Sequence, residues 1–186
     1  MSSLIINSLP GIENYSYLEL GVFDNSNYNQ IRCKEKYSVD INGNALFTGT
    51  TDEFFDQLEA DKKFDIIYID ANHDYDFVLR DYNNSVHRAK HWILMHDMIP
   101  PSKKYIQSKF CSDSYKLLYY FLTETNLKIY PMENNMGLTL IEAPAHTVSP
   151  NKKFRHVEYK DFMNFLQTQK LYSDKEIMKK LGSYNV

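Results

Sequence analysis

The stretch FDIIYIDANHDYDFVLRD, residues 64–81, constrains the fold of this chain more than any other. FDIIYI is a nearly unbroken apolar run, the pattern of a strand covered on both faces in a parallel sheet. It stops at Asp70, and Asn72, His73 and Asp74 crowd in behind it. Val78, Tyr82, Val86 and Ala89 then recur at helical spacing. A buried strand, a polar loop and an amphipathic helix in that order are the repeating unit of an α/β fold.

The alternation recurs along the chain. YSYLELG (15–21) reads as a strand and turn, KYSVDIN (36–42) as a strand ending at Asp40, and NALFTG (44–49) as a third. HWILMH (91–96) is another, stopped by Asp97 and then Pro100-Pro101. NSNYNQI (25–31) suits a brief helix capped by Asp24 or Asn25. TTDE at 50–53 fits a capping box, with Phe54, Phe55 and Leu58 behind it. Tyr115, Leu118, Tyr119 and Leu122 mark a later helix, and LKIYPM (127–132) with GLTLIEA (137–143) reads as a closing strand pair. Tyr159, Phe162, Met163 and Leu166 line one helical face, and SDKE at 173–176 caps a final helix. The expectation is a mainly parallel sheet with helices on both faces, carried by residues 1–143. Residues 144–186 form a connector and a helical appendage that packs on the same domain and leaves self-association open.

Bulk properties exclude several classes. A net charge of -3 and a pI near 6.1 argue against general nucleic-acid binding. No apolar run reaches the roughly 18–20 residues a membrane helix needs. Cys33 and Cys111 make no metal or redox spacing. With no signal peptide evident, they read as free thiols in a reducing compartment, so the expected location is cytoplasmic.

In parallel sheets ligands bind beyond the carboxyl ends of the strands, near the point where strand order reverses. Glu19 with Gly21, Asp40, Asp70, and His96 with Asp97 all stand at such ends. Gly21 lets backbone approach a ligand closely. Phe23 and Ser26 replace the later glycines of a dinucleotide fingerprint, and no GK[ST] follows, so neither a nicotinamide-binding loop nor a P-loop is matched. Asp40 lies 19 residues after Gly21, where an acid can take a ribose hydroxyl pair. Asp70 and His73 share a loop that can aim both into one pocket, and histidine titrates where a general base is useful. The plainer alternative has Asp74 or Asn72 capping the next helix with His73 in water. Asp70, His96 and Asp97 together could hold a divalent metal. Lys103, Lys104 and Lys109 could meet an acidic group on a substrate, or form a solvated basic loop.

The segments YLELGVFDNSN, YSVDIN, TGTTDEFFDQL, FDIIYIDANHDYDFVLRD and ILMHDMIPPS occur in an order that resembles the class I S-adenosylmethionine-dependent methyltransferases. The nearest likeness is to the small sugar and natural-product O-methyltransferase branch. It covers residues 17 to 143 and is most specific over 48–102. The resemblance implies a Rossmann-like, mainly parallel seven-stranded sheet with an antiparallel closing strand and added C-terminal helices. It implies S-adenosyl-L-methionine as cofactor and a small-molecule or sugar hydroxyl as acceptor. Glu19 and Gly21 would lie against the methionine part and ribose, Asp40 on the ribose hydroxyls, and Thr51 and Asp52 near the adenine. Asn25 stands at the bend where the family has its later glycine. Asp70 would lie near the transferring methyl, and His73 would be the base. In metal-using relatives, residues matching Asp70 and positions 96 and 97 bind magnesium. Position 96 here is His, so an Mg²⁺ or Mn²⁺ site has fewer anionic ligands.

These readings imply in-line methyl transfer, with catalysis mainly by positioning. Three rivals stand beside it. One is a catalytically inactive interaction module on the same fold, one a nicotinamide-dependent enzyme, and one a nucleic-acid methyltransferase. The charge opposes the last, and MIPPSKKY fails as an amino-methylating motif.

Overall fold

The computed structural model describes residues 2–108 and 110–183. Seven strands form one sheet: β1 (Ser16–Leu20), β2 (Glu35–Asp40), β3 (Phe47–Thr48), β4 (Phe64–Ile69), β5 (Ala89–Met95), β6 (Ile129–Pro131) and β7 (Thr139–Glu142). Their order is β3-β2-β1-β4-β5-β7-β6. All pairs from β3 to β5 are parallel, and β7 runs antiparallel to both its neighbours. The chain builds outward from β1 through β2 to β3, then returns to place β4 on β1's other side. The order therefore reverses between β1 and β4, which opens a crevice at their carboxyl ends.

The helices are α1 (Ser2–Ile6), α2 (Thr51–Gln57), α3 (Tyr75–Ser85), α4 (Lys103–Gln107), α5 (Tyr115–Glu124), α6 (Tyr159–Leu166) and α7 (Asp174–Gly182). Side chains alternate across a strand, so each central strand serves two cores. Leu18, Leu20, Ile67, Ile69, Ile93 and Met95 pack with α3, α5 and α6 on one face. Tyr17, Ile66, Tyr68, Trp92 and Leu94 pack with α1 and α7 on the other. Segments after the connector thus enter both cores, Phe154, Phe162 and Leu166 on one side and Ile177 and Leu181 on the other.

Both expected capping boxes form, at Thr50 with Glu53 and at Ser173 with Glu176. Such caps typically contribute about 1 kcal/mol each. The expected helix over 25–31 is a single 3₁₀ turn, Tyr28–Gln30. Asp24 accepts the Ser26 N–H at 2.9 Å and Asn25 sits at φ 62°, and these local bonds hold the chain out of an α-helix. The expected strand over 44–49 shrinks to two residues at the sheet edge. Nothing in the sequence pattern signalled α1, whose five residues are too few to show a period. Cys33 and Cys111 are buried and unpaired. Among the described residues, no helix is long and apolar enough to cross a membrane.

Candidate active site

The carboxyl ends of β1, β2 and β4 open into a cavity of about 600 Å³. Of the cofactor, base and metal candidates named from sequence, Gly21, Asp40, Thr51, Asp70 and His73 stand on its wall, with Asn72 and Asp74 beside them. Glu19, Asn25, Asp52, His96 and Asp97 lie off it, each with a partner or burial that accounts for its place.

Gly21 has φ 84°, and a Cβ there would lie 2.4 Å from the Asp70 carbonyl oxygen and 2.5 Å from Ala71 Cα. The need for glycine comes first from the neighbouring strand: β1 and β4 end too close together for a side chain. Asp40 faces the cavity but uses its carboxylate on the loops. Oδ2 accepts the N–H groups of Val22 at 3.0 Å and Phe23 at 2.9 Å, and Oδ1 accepts the Asn42 backbone and side-chain amides at 2.9 and 3.1 Å. A carboxylate has about four acceptor positions, and all are taken. Asn25 reaches across from the first turn to Asn44 O at 2.9 Å, joining the loops after β1 and β2.

Glu19 faces the α1/α7 core, two residues along the strand from Tyr17. The Tyr17 hydroxyl donates to it at 2.6 Å and Asn27 at 3.1 Å. Burial nevertheless pushes its carboxyl up to about 7. Thr51, the first residue of α2, donates its hydroxyl to Asp81 of α3 at 2.5 Å. Asp52 pairs with Arg80 at 2.9 Å and accepts from Asn84 at 3.1 Å.

Around Asp70 the contacts come from side chains alone. His73 Nε2 lies 3.2 Å and His96 Nδ1 3.1 Å from its Oδ1, and the Tyr68 hydroxyl donates to Oδ2 at 3.1 Å. Burial opposes the charge on Asp70, yet the two imidazoles outweigh it and hold the carboxyl below its ordinary value. Burial also opposes charging of His96, but Asp70 and Asp97 prevail and raise it to about 9. Its Nε2 faces Asn135 Oδ1 at 3.4 Å, Asn135 Nδ2 donates to Ser2 Oγ at 2.8 Å, and Ser2 Oγ meets Tyr68 OH at 3.0 Å. A ring of hydrogen bonds thus runs from His96 to Asp70 by two routes, one direct and one through Asn135, Ser2 and Tyr68. Its donors and acceptors are consistent when both imidazole nitrogens carry protons. The turn that delivers Asn135 has positive φ at Asn135, Met136 and Gly137. Gly137 is required there, since a Cβ would strike Ile99 at 2.3 Å.

Asp97, at φ 56°, is buried behind this pair. Its Oδ2 is 3.6 Å from His73 Nε2 and its Oδ1 3.3 Å from His96 Nδ1, and burial raises its carboxyl despite both histidines. Asp74 does not cap α3 with its side chain, Asn72 Oδ1 accepts the Asp74 N–H at 2.9 Å just before the helix, and His73 is not left in water. The Tyr75 N–H goes to Asp113 at 2.6 Å, Asp74 takes the Ser112 hydroxyl, and His73 is only 15% exposed. Lys103 and Lys104 are exposed on α4, and Lys109 lies outside the described residues.

Sequence reasoning missed Tyr68, Ser2, Asn135, Asp81, Ile41 and Phe77. Tyr68 carried a signal, because strand alternation puts positions 68 and 70 on one side. Ser2 and Asn135 carried none, being brought in by contacts spanning more than 130 residues.

A family model described as a methyltransferase domain matches residues 26–98. That segment holds Asp40, Asp70, His73, His96 and Asp97 but stops short of Gly21. Among solved structures, cofactor-bound Rv0187 from MTB superposes with a TM-score of 0.55 at 11% identity, covering 77% of this chain and 78% of that one. An O-methyltransferase from Bacillus cereus in complex with SAH gives 0.52 at 11%, covering 75% and 77%. N-methyltransferase NodS from Bradyrhizobium japonicum gives 0.50 at 11%, covering 76% and 91%. The fold is that of the class I S-adenosylmethionine-dependent methyltransferases. No curated protein matches the chain by sequence. Enzymes that methylate at oxygen and at nitrogen both share this methyltransferase fold with the chain, so the fold alone leaves the acceptor atom open.

Within the methyltransferase fold, the donor set for a metal can be judged from its atoms. One ligand atom each from Asp70, His96 and Asp97 lies within 4.8 Å of the others. Asp97 Oδ1 is buried with no hydrogen-bond partner among the described residues. An orphaned carboxylate oxygen beside a second carboxylate and an imidazole fits a small divalent cation. The imidazole turns the preference from Mg²⁺ towards Mn²⁺ and later transition ions.

Proposed function

We propose that the protein transfers a methyl group from S-adenosyl-L-methionine to a hydroxyl of a small molecule or sugar, with His73 as general base. The observation that carries this reading is the Asp70–His73 pair on the wall of a cavity at the strand-order reversal. The cofactor would supply an electrophilic sulfonium methyl. Gly21 is the wall position assigned to lie against it. Asp40 and Thr51 shape that wall while their side chains bind the loops and Asp81, and Glu19, Asn25 and Asp52 support the loops that shape the pocket.

In this reading His73 donates Nε2–H to the Asp70 carboxylate 3.2 Å away, which would leave the Nδ1 lone pair to take the proton of the acceptor hydroxyl. Asp70 stabilises the imidazolium that results. Such a base contributes roughly 10²–10⁴-fold, and the rest comes from holding the reactants in line. Asp70, His96 and Asp97 would hold a divalent ion if one is used, supplying positive charge behind the Asp70–His73 pair. Metal binding there must displace a proton from His96. Without metal, the His96 imidazolium places positive charge in the same position.

The deciding experiment is calorimetric titration with S-adenosylmethionine and S-adenosylhomocysteine, with and without Mg²⁺ or Mn²⁺. Binding that is lost in Asp40→Ala supports the pocket, and proton release on adding Mn²⁺ supports the metal site. A folded protein that binds neither compound in any condition would overturn the assignment and favour a catalytically inactive module.

A further inference from the structure

Asp74 follows His73 on the cavity wall and occupies the N-cap position of α3. An aspartate there ordinarily turns its side chain onto the first N–H groups of the helix. In this chain the Tyr75 N–H goes to Asp113 at 2.6 Å instead, and the Asp74 side chain makes no capping bond. The Ser112 hydroxyl holds one of its oxygens, and the second takes no hydrogen bond among the described residues. A carboxylate released from capping thus stands beside the base with an oxygen to spare.

Its charge is left over as well. Asp76 pairs with Arg155, Asp113 with Lys116 at 2.9 Å, and Asp52 with Arg80 at 2.9 Å. Asp70 faces two imidazoles. Asp74 is half-buried and pairs with no cation among the described residues. The cavity wall carries four aspartates, and its one arginine, Arg80, is already committed to Asp52, so the field there favours a cation. Lys103 and Lys104 stand off the wall on α4, and an acidic group beside His73 would meet Asp74 rather than a lysine.

We propose that the acceptor is a vicinal amino alcohol, such as an amino sugar, whose ammonium is held by Asp74 while the adjacent hydroxyl meets His73. The inference rests on the methyl-transfer reading above. Asp74 then governs the choice of acceptor atom as well as affinity. A carboxylate beside an amine keeps it protonated, and an ammonium has no lone pair with which to attack. The hydroxyl oxygen attacks instead. Its bond to the methyl carbon forms as the carbon–sulfur bond breaks, the electron pair of that bond stays on sulfur, and the hydroxyl proton passes to His73 Nδ1.

The test compares methyl transfer from S-adenosylmethionine to trans-2-aminocyclohexanol and to trans-cyclohexane-1,2-diol, which differ by an ammonium in place of a hydroxyl. Wild type is expected to show a kcat/KM about tenfold or more higher for the amino alcohol, as a charge-assisted hydrogen bond implies, with mass spectrometry placing the methyl on oxygen. Asp74→Asn, its fold checked by circular dichroism, is expected to bring the ratio near one, mainly through KM, with S-adenosylhomocysteine affinity unchanged by calorimetry. Equal use of both probes by wild type would overturn the inference, as would methylation at nitrogen. So would an unchanged ratio in folded Asp74→Asn, or a loss of S-adenosylhomocysteine affinity in that variant equal to its loss of turnover. If the variant does not fold, the wild-type ratio decides alone. Transfer to neither probe by a protein that binds S-adenosylhomocysteine would overturn the acceptor class and leave the cofactor reading standing. A folded protein that does not bind S-adenosylhomocysteine would remove both.

Discussion

Asp40 and Asp70 end β2 and β4, one strand apart on the same edge of the sheet, and the protein uses them in opposite ways. Asp40 is saturated by amides, three of its four donors coming from backbone or a turn that backbone shapes. Asp70 takes only side-chain donors, two of them imidazoles. Amides do not titrate and imidazoles do. The first aspartate sets the shape of the loops around the cavity, while the second sets charges that change with pH. Under the proposed function that contrast would separate binding from turnover, and each region can be attacked on its own.

The largest expected effect is at His73. His73→Ala should lower turnover roughly 10²–10⁴-fold while S-adenosylhomocysteine affinity, read by calorimetry, stays at the wild-type value. Wild-type turnover in that variant would remove His73 as base. Equal losses in turnover and affinity would erase the contrast with Asp40.

A second break comes from pH. His96 goes from 6.5 to about 9 on folding, so its contribution is complete below 6.5 and is lost as pH rises through 9. Such a shift corresponds to at most roughly 3 kcal/mol. Denaturant titrations between pH 6.5 and 9 should show wild type losing stability, with a flatter profile in His96→Gln. Glu19 is raised from 4.5 to about 7, so its decline falls in a lower window, and Glu19→Gln should flatten that one instead. Parallel profiles for wild type and His96→Gln would mean His96 is not charged by its neighbours.

Asp40→Ala should do the reverse of His73→Ala. Removing the acceptor for the Val22 and Phe23 amides costs about 1–3 kcal/mol of stability. Cofactor affinity should drop about tenfold or more, as a loss of 1.4 kcal/mol implies. If stability falls and affinity does not, Asp40 anchors the loops without shaping a cofactor pocket.

How far the sequence disclosed this division depends on the range of the contacts. The central strands, the two capping boxes and the Asp70–His73 loop were legible because each is written in fewer than ten consecutive residues. Asp40 was legible as a strand-end acid, but its saturation was not, since Val22 and Phe23 reach it only through the fold. Asp81 was concealed inside a regular helical pattern, where a polar residue reads as solvent-facing. The brief helix expected at 25–31 is cut to one turn because the Asp24 side chain and the Asn25 backbone angles bend the chain instead of capping a helix. Asn135 and Ser2 meet across the whole length of the chain, and no local pattern anticipates that.

The smallest expected effect tests the relayed route to Asp70. Ser2 Oγ accepts from Asn135 and meets the Tyr68 hydroxyl, which donates to Asp70. Ser2→Ala leaves the Asn135 amide without its acceptor and Tyr68 with Asp70 alone, while the direct His96–Asp70 contact survives. The expected cost is about 1 kcal/mol of stability. The more telling reading is the His96 ring titration followed by NMR, which should move below its wild-type midpoint because Asn135 is no longer held against Nε2. An unmoved midpoint would assign all of the imidazolium's stabilisation to the two carboxylates. In that case the N-terminal helix closes the core over the site without tuning it, and the contrast between the two aspartates narrows to their immediate partners.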